Sequence, residues 1–157
     1  MKLAARRASA EDLDELLRLY RLLAAEMHEY HRMWELADGL SEPAGEALRL
    51  ALEDPDTAVY LGTIDDVVFG FILGVSEPLL TQANGERIGS IRFVFTELEA
   101  REVGVGETMR DALLAELRSR GLRCFDAHVL PGHRLVKNFF ESGGFSARSI
   151  VMHHRDD

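Results

Sequence analysis

The sequence predicts a mixed α/β (α+β) fold whose elements follow the order β-α-α-β-β-β-α-β-α-β. Three observations predict it. Apolar residues recur at helical spacing in the stretches 13–31, 44–52 and 105–117. Runs rich in β-branched and aromatic residues, 57–64, 67–75 and 90–96, lie between them. One glycine-bearing loop, Gly104-Val105-Gly106, joins a strand to a helix, where exposed main-chain N–H groups and the helix dipole together favour an anion such as a phosphate. At 157 residues the chain is read as one domain, 1–157, long enough to bury its own core.

Taken in order, residues 2–8 read as a first strand, and Ser9 with Asp12 three positions later gives a helix start of capping-box type, Asp standing for Glu. Leu13, Leu16, Leu17, Tyr20, Leu23, Ala24, Met27 and His31 then share one helical face, which should pack on a sheet. Between 29 and 43 the pattern breaks into Tyr30, His31, Met33, Trp34 and Glu35, followed by Asp38-Gly39, a helix end and loop. A second helix runs from Pro43 or Ala44 to Glu53, with Ala44, Ala47, Leu48, Ala51 and Leu52 on one side, and Asp54-Pro55-Asp56 stops it. Residues 57–64 and 67–75 form a hairpin turning at Asp65-Asp66, and Gly70 and Gly74 mark bends or close backbone approach. A polar loop, 77–86, with Pro78 and Asn84-Gly85, leads into the strand 90–96. The helix after the glycine loop carries Val105, Met109, Ala112, Leu113 and Leu117 and ends at Gly121. A strand at 124–130, a turn at Pro131-Gly132, a helix at 133–142 and a closing strand at 147–154 complete the chain.

Composition narrows the function classes. The chain is 46% hydrophobic and 29% charged, the balance of a globular protein, and no apolar run approaches the ~20 residues of a membrane span. The N-terminus lacks a signal-type apolar stretch and the single cysteine, Cys124, cannot form an internal disulfide, so the cytoplasm is the expected compartment. A net charge of -9 argues against duplex nucleic acid as a partner and is compatible with a cationic amine. Neither Cys partners nor a paired-histidine helix suggests a metal.

Gly104-Val105-Gly106 also begins a dinucleotide fingerprint, with Asp126 about 20 residues on to meet a ribose. That fingerprint wants a third glycine where Met109 stands, and a larger doubly wound sheet around it. The pattern R-x-x-G-x-G at 101–106 instead resembles the acetyl-CoA-binding motif of the GCN5-related N-acetyltransferases (GNAT). The run Arg134-Leu135-Val136-Lys137-Asn138-Phe139-Phe140-Glu141-Ser142-Gly143-Gly144-Phe145 resembles that family's second signature, A-x-x-F-Y-E-x-x-G-F, in the right order.

The resemblance implies a three-layer fold: a central mixed, mostly antiparallel sheet, splayed between strands 4 and 5, with helices on both faces. Acetyl-CoA would be the co-substrate and a primary amine of a small molecule or peptide the acceptor, attacking directly while both are bound. The pantetheine arm would pair with Val94, Phe95 and Thr96. The pyrophosphate would rest on main-chain amides of Glu102, Val103, Gly104, Val105, Gly106, Glu107 and Thr108, with Arg101 as a nearby cation. His133, Asn138 and Phe140 would approach the cofactor from the second signature. Tyr30, His31, Trp34 and Glu35 would shape the acceptor pocket, the other reading being that Met33 and Trp34 close the core. Dimers are common in the family, although no residue here specifies one.

Three positions depart from the pattern. Phe140 stands where the family commonly has the tyrosine that protonates the thiolate, His133 where asparagine is frequent, and Leu98 where proline is frequent. His133, His128, Cys124 or water remain as proton donors, and Glu97, Glu99, Glu35 or a water chain as bases; acids at 97 and 99 also serve a helix N-terminus. Because phenylalanine donates no proton, a reading from another class stays open: an acyl-CoA-binding sensor or regulatory module without turnover.

Overall fold

The computed structural model describes residues 1–30 and 33–157, with Tyr30, Leu36 and Ala37 described by their backbone. Its elements are β1 (Leu3–Arg7), α1 (Leu13–Tyr30), α2 (Trp34–Ala37), α3 (Ala44–Glu53), β2 (Thr57–Ile64), β3 (Val67–Pro78), β4 (Arg87–Thr96), α4 (Val105–Ser119), β5 (Cys124–Ala127) and α5 (Arg134–Ser142). The sheet runs β1-β2-β3-β4-β5, antiparallel through β4, with β5 parallel to β4.

Local chemistry sets the ends. Asp12 accepts the Ser9 N–H at 2.9 Å and takes the Arg6 guanidinium at 2.9 and 3.0 Å, so the entry to α1 is capped and pinned to β1. Asp65 and Asp66 both adopt left-handed φ, 49° and 68°, a hairpin turn that short polar side chains tolerate without glycine. Asp65 is held there by the Lys2 N–H at 2.7 Å.

Two apolar layers sandwich the sheet. On one face Leu16, Leu19, Tyr20, Leu23 and Met27 of α1 and Leu48 of α3 meet Leu61, Phe71, Leu73, Phe93 and Phe95. On the other, Val105, Met109, Leu113 and Leu117 of α4 meet Ile72 and Ile91, joined by Phe140 of α5. Burying each large aliphatic contributes about 1.5–3 kcal/mol. Gly62 lets α4 lie close, because a Cβ there would meet Val105 Cγ1 at 2.6 Å and Met109 Sδ at 2.8 Å.

The elements differ from expectation in four places, the first being the short helix α2 at Trp34–Ala37 where a helix end and loop were expected. β3 extends to Pro78 and β4 begins at Arg87, not 75 and 90, since polar side chains pair across the ends: Arg87 Nε donates to Ser76 Oγ at 3.1 Å and Ser90 Oγ to Glu77 Oε1 at 2.6 Å. β5 stops at Ala127 rather than 130, where the chain turns out of the sheet. The expected closing strand at 147–154 is absent: residues 145–157 form no strand or helix. β5 offers an edge of only four residues, and the tail is fastened to it by side chains, Arg148 Nε to Asp126 Oδ1 at 2.7 Å, instead of a main-chain ladder. Ile150, Val151 and Met152 are left exposed.

Candidate active site

The sheet forks at Ile91. β4 and β5 pair from Ile88↔Cys124 to Ile91↔Ala127, and a last bond runs from the His128 N–H to the Ile91 carbonyl at 3.1 Å. Beyond it β4 continues to Thr96 with no β5 beside it. The Glu97 N–H donates to Phe69 O at 2.8 Å, so alternation turns the main-chain groups of Phe93 and Phe95 towards β3 and those of Val94 and Thr96 into the fork. The Thr96 carbonyl is taken by Arg101 Nε at 2.8 Å. Both main-chain groups of Val94 and the Thr96 N–H therefore face the opening, which suits an extended amide chain laid along β4 as an added strand.

The strand runs directly into the glycine loop. A 3-10 turn at Leu98–Ala100 leads to Glu102 at φ 66° and Gly104 at φ 104°, and α4 begins at Val105 with no side chain capping it. The first helical bond joins the Thr108 N–H to Gly104 O at 3.0 Å. The N–H groups of Val105, Gly106 and Glu107 thus have no acceptor within the helix, and they point outward at its positive end. Glu102, Val103 and Glu107 are exposed, Thr108 half-buried with its hydroxyl on Gly104 O at 2.8 Å. A left-handed non-glycine residue is strain of the kind stored at ligand clamps, and Glu102 supplies it here. Gly104 suits the turn: side chains rarely adopt its φ, and a Cβ would lie 3.0 Å from Leu3 Cδ1. Uncapped amides in a glycine turn at the end of an open strand edge fit the diphosphate and amide arm of acetyl-CoA.

Arg101 reaches the other way. Its Nη1 and Nη2 pair with Glu26 of α1 at 3.1 and 2.6 Å, and its guanidinium lies 5.4 Å from the Phe95 ring centroid, so it ties the loop to α1. Glu97 is similarly tied, with its oxygens 2.9 and 3.2 Å from Arg18; Glu97 foremost, then Glu15, pushes the Arg18 guanidinium above its ordinary value. Glu99 is exposed.

The second signature forms α5, which packs beside α4: a Cβ on Gly106 would lie 3.1 Å from Phe139 Cε1, and one on Gly143 would lie 2.9 Å from Arg110 Cζ. The two helices therefore run in the same direction, and His133, at the N-cap of α5, stands at the glycine-loop end of the pair. His133 is half-buried, Asn138 exposed. Phe140 is buried at 3% exposure, edge-on to Phe139 and Phe145 at 5.0 and 5.3 Å. His128 is exposed and Cys124 half-buried on the strand below the fork.

Trp34 is buried in the α1 core, edge-on to the His28 ring at 5.3 Å, and exposed Glu35 meets His28 Nδ1 at 3.1 Å. The Tyr30 side chain and His31 lie outside the described residues. Among the described residues no group of three His, Cys, Asp or Glu could hold a metal.

Sequence reasoning missed a cleft of about 480 Å³ on the α1/α3 face, between residues 39–41, α3, β3 and Arg92 and Phe93 of β4. A β-bulge makes it. Leu73 pairs with Phe93 but Gly74 with Ile91, so Arg92 is the extra residue, and its side chain joins Phe93 in lining the cleft. Arg92 Nη2 donates to Asp38 Oδ1 at 3.0 Å, and the same oxygen accepts the Gly39 N–H at 2.9 Å. The Leu40 N–H donates to Tyr20 Oη at 2.7 Å, which fixes this loop, and burial pushes the Tyr20 phenol above its ordinary value. The strict alternation Ile91, Phe93, Phe95 hides the bulge; Gly74 opposite is the one faint signal.

The model of the family described as "Acetyltransferase (GNAT) family" matches residues 13–145. No curated protein sequence matches the chain. Among solved structures, AAC(6')-Iy in complex with the bisubstrate analog CoA-S-monomethyl-acetylneamine is similar over 100% of this chain and 99% of its own, with TM-score 0.76 and 15% identity. A ribosomal-protein-alanine N-acetyltransferase from Brucella melitensis biovar Abortus 2308 is similar over 99% and 100%, with TM-score 0.71 and 15% identity. A transcriptional regulator from Bacillus halodurans C-125 is similar over 98% and 100%, with TM-score 0.76 and 19% identity. At these identities the likeness is one of fold. With the family match over most of the chain and the forked sheet and glycine turn above, the chain belongs to the acetyltransferase (GNAT) family, as an N-acetyltransferase with acetyl-CoA as co-substrate.

Proposed function

We propose that residues 1–157 act as one catalytic domain that moves the acetyl group of acetyl-CoA to a primary amine of a small molecule or peptide, by direct attack while both substrates are bound. The observation that carries this is the fork: an open β4 edge at Val94 and Thr96 leads straight into the uncapped amides of α4. The structurally similar AAC(6')-Iy, an aminoglycoside N-acetyltransferase, and the ribosomal-protein-alanine N-acetyltransferase support amines of both kinds as acceptors.

In this reading the amides from Glu102 to Glu107 hold the diphosphate, while the Thr108 N–H is taken by Gly104 O and closes the first turn behind them. Val94 and Thr96 align the amide arm, and the Val94 N–H is the donor towards which the thioester oxygen develops charge. Holding amine and thioester together supplies much of the rate, since effective molarities reach about 10⁵ M or more. The departing thiolate takes its proton from His133, with His128 as the second candidate, because Phe140 has none to give. Glu97, positioned by Arg18, is the proton acceptor for the amine. Tyr30, His31, Trp34 and Glu35 remain proposed contributors to the acceptor side. The exposed apolar Ile150, Val151 and Met152 support a homodimer. The lone cysteine fits the reducing cytoplasm.

The test is a panel of primary amines mixed with acetyl-CoA and read by release of free thiol. Release with at least one amine at enzymatic rates is the expected result. Tight coenzyme A binding with no release from any amine would mean instead an acyl-CoA-binding module, the alternative that Phe140 leaves open.

A further inference from the structure

We infer that Arg92 is a carboxylate-binding residue, so that the acceptor is an amine that also carries a carboxylate, an amino acid or a peptide with a free C-terminus; this rests on the acetyl-transfer reading above. The bulge sets Arg92 as the first residue of β4 beyond the last β5 pair. It stands two positions, roughly 7 Å along the strand, from the Val94 amide that faces the fork. A group bound by Arg92 is thus held within a small molecule's length of the thioester's expected place.

Arginine presents five N–H donors. Among the described residues this guanidinium uses one, Nη2 to Asp38, while Nε is enclosed without any partner. Nε itself is out of a ligand's reach, but the side chain is 33% exposed, and its terminal Nη1 and Nη2 N–H groups can meet a carboxylate's two oxygens. Asp38, only 10% exposed at its side chain and fixed by the Gly39 N–H, serves as a strut that holds one edge of the guanidinium and leaves the rest to the cleft.

The cleft offers nothing better for a cationic acceptor. Its other charged group, Asp54, is spent on the Asp56 N–H at 2.9 Å and the Thr57 hydroxyl at 2.8 Å. Leu50, Ala51, Leu73 and Phe93 make apolar walls, which suit the side chain of an amino acid whose carboxylate Arg92 holds. The cation therefore stands out against a chain of net charge -9.

The experiment compares kcat/KM for matched pairs, the common amino acids and short peptides against their C-terminal carboxamides, in wild type, Arg92→Gln and Arg92→Lys. The expected result is at least one acid favoured over its carboxamide by about tenfold or more. That preference should vanish in Arg92→Gln and survive in part in Arg92→Lys, with the KM for acetyl-CoA unchanged within about twofold. Carboxamides serving as well as acids in wild type, or Arg92→Gln slowing both alike, overturns the inference. If no amine is acetylated, the acetyl-transfer reading fails, and calorimetry of the same acids against the coenzyme A-loaded protein decides the Arg92 site. Binding lost in Arg92→Gln sustains it, and no binding of any acid overturns it.

Discussion

Gly104 and Gly106 look alike in the sequence and serve different ends. Gly104 is held at φ 104°, with Leu3 Cδ1 3.0 Å from where a Cβ would stand, so Gly104→Ala pays a left-handed penalty of about 1–2 kcal/mol and reshapes the amide turn. Gly106 sits under the Phe139 ring, 3.1 Å from its would-be Cβ, and Gly106→Ala pushes on α5. Both variants should weaken acetyl-CoA binding in calorimetry; Gly104→Ala with wild-type affinity would contradict the role given to the turn. At the entry to α1, the Arg6 guanidinium above all holds the Asp12 carboxyl below the usual carboxylate range. A carboxyl depressed in the folded state adds stability above its unfolded value of about 3.9 and loses it as pH falls through the folded value. Arg6 is half-exposed, so the pair is discounted. Asp12→Asn should therefore lower Tm near neutral pH by roughly 2–4 °C, for about 1 kcal/mol. That gap should close in acid; a gap constant down to about pH 2 would remove the carboxylate from the account.

At the scale of elements, the strand–turn–helix at the fork was legible because glycine and helical periodicity report on the backbone directly, whereas the Arg92 bulge was not, because it shifts register without changing residue pattern. The same limit explains the tail: residues 147–154 have strand-like composition, but a strand also needs a partner edge, and β5 is four residues long. Where Arg101 and Glu97 reach was equally hidden, since Glu26 and Arg18 lie far away in sequence on α1. Docking of α5 depended on another unseen residue. Arg110, 8% exposed within the α4 stripe, donates from Nη1 to Phe139 O at 2.9 Å and lies 4.8 Å from the Phe139 ring centroid, securing the C-terminal carbonyls of α5 as a cation should. Arg110→Met keeps bulk and removes both contacts. It should cost about 2 kcal/mol or more and weaken acetyl-CoA binding through the displaced Phe139. A Tm within about 1 °C of wild type would show that α5 is held by its phenylalanines alone.

For the whole molecule, the two faces of the sheet carry different features: α4 and the glycine turn, proposed to hold the co-substrate's diphosphate, lie on one, and the Arg92 cleft opens on the other. A site assembled from β4, α4 and α5 exists only in the folded state, so its ligand must stabilise the entire domain. At about 100 times its Kd, acetyl-CoA contributes about 2.7 kcal/mol, which for a domain of this length raises Tm by roughly 5–10 °C. NAD also carries a diphosphate, but the described sheet has one parallel pair, β4 with β5, and Met109 fills the helix position of the third fingerprint glycine, fully buried against the sheet. At the same concentration NAD should therefore leave Tm unchanged. Gly104→Val supplies the control, because its Cβ and branched methyls enter the turn: its own Tm should fall modestly, and the acetyl-CoA shift should disappear. An equal shift from NAD, or a full acetyl-CoA shift in Gly104→Val, would place the binding energy somewhere other than the amides that begin α4.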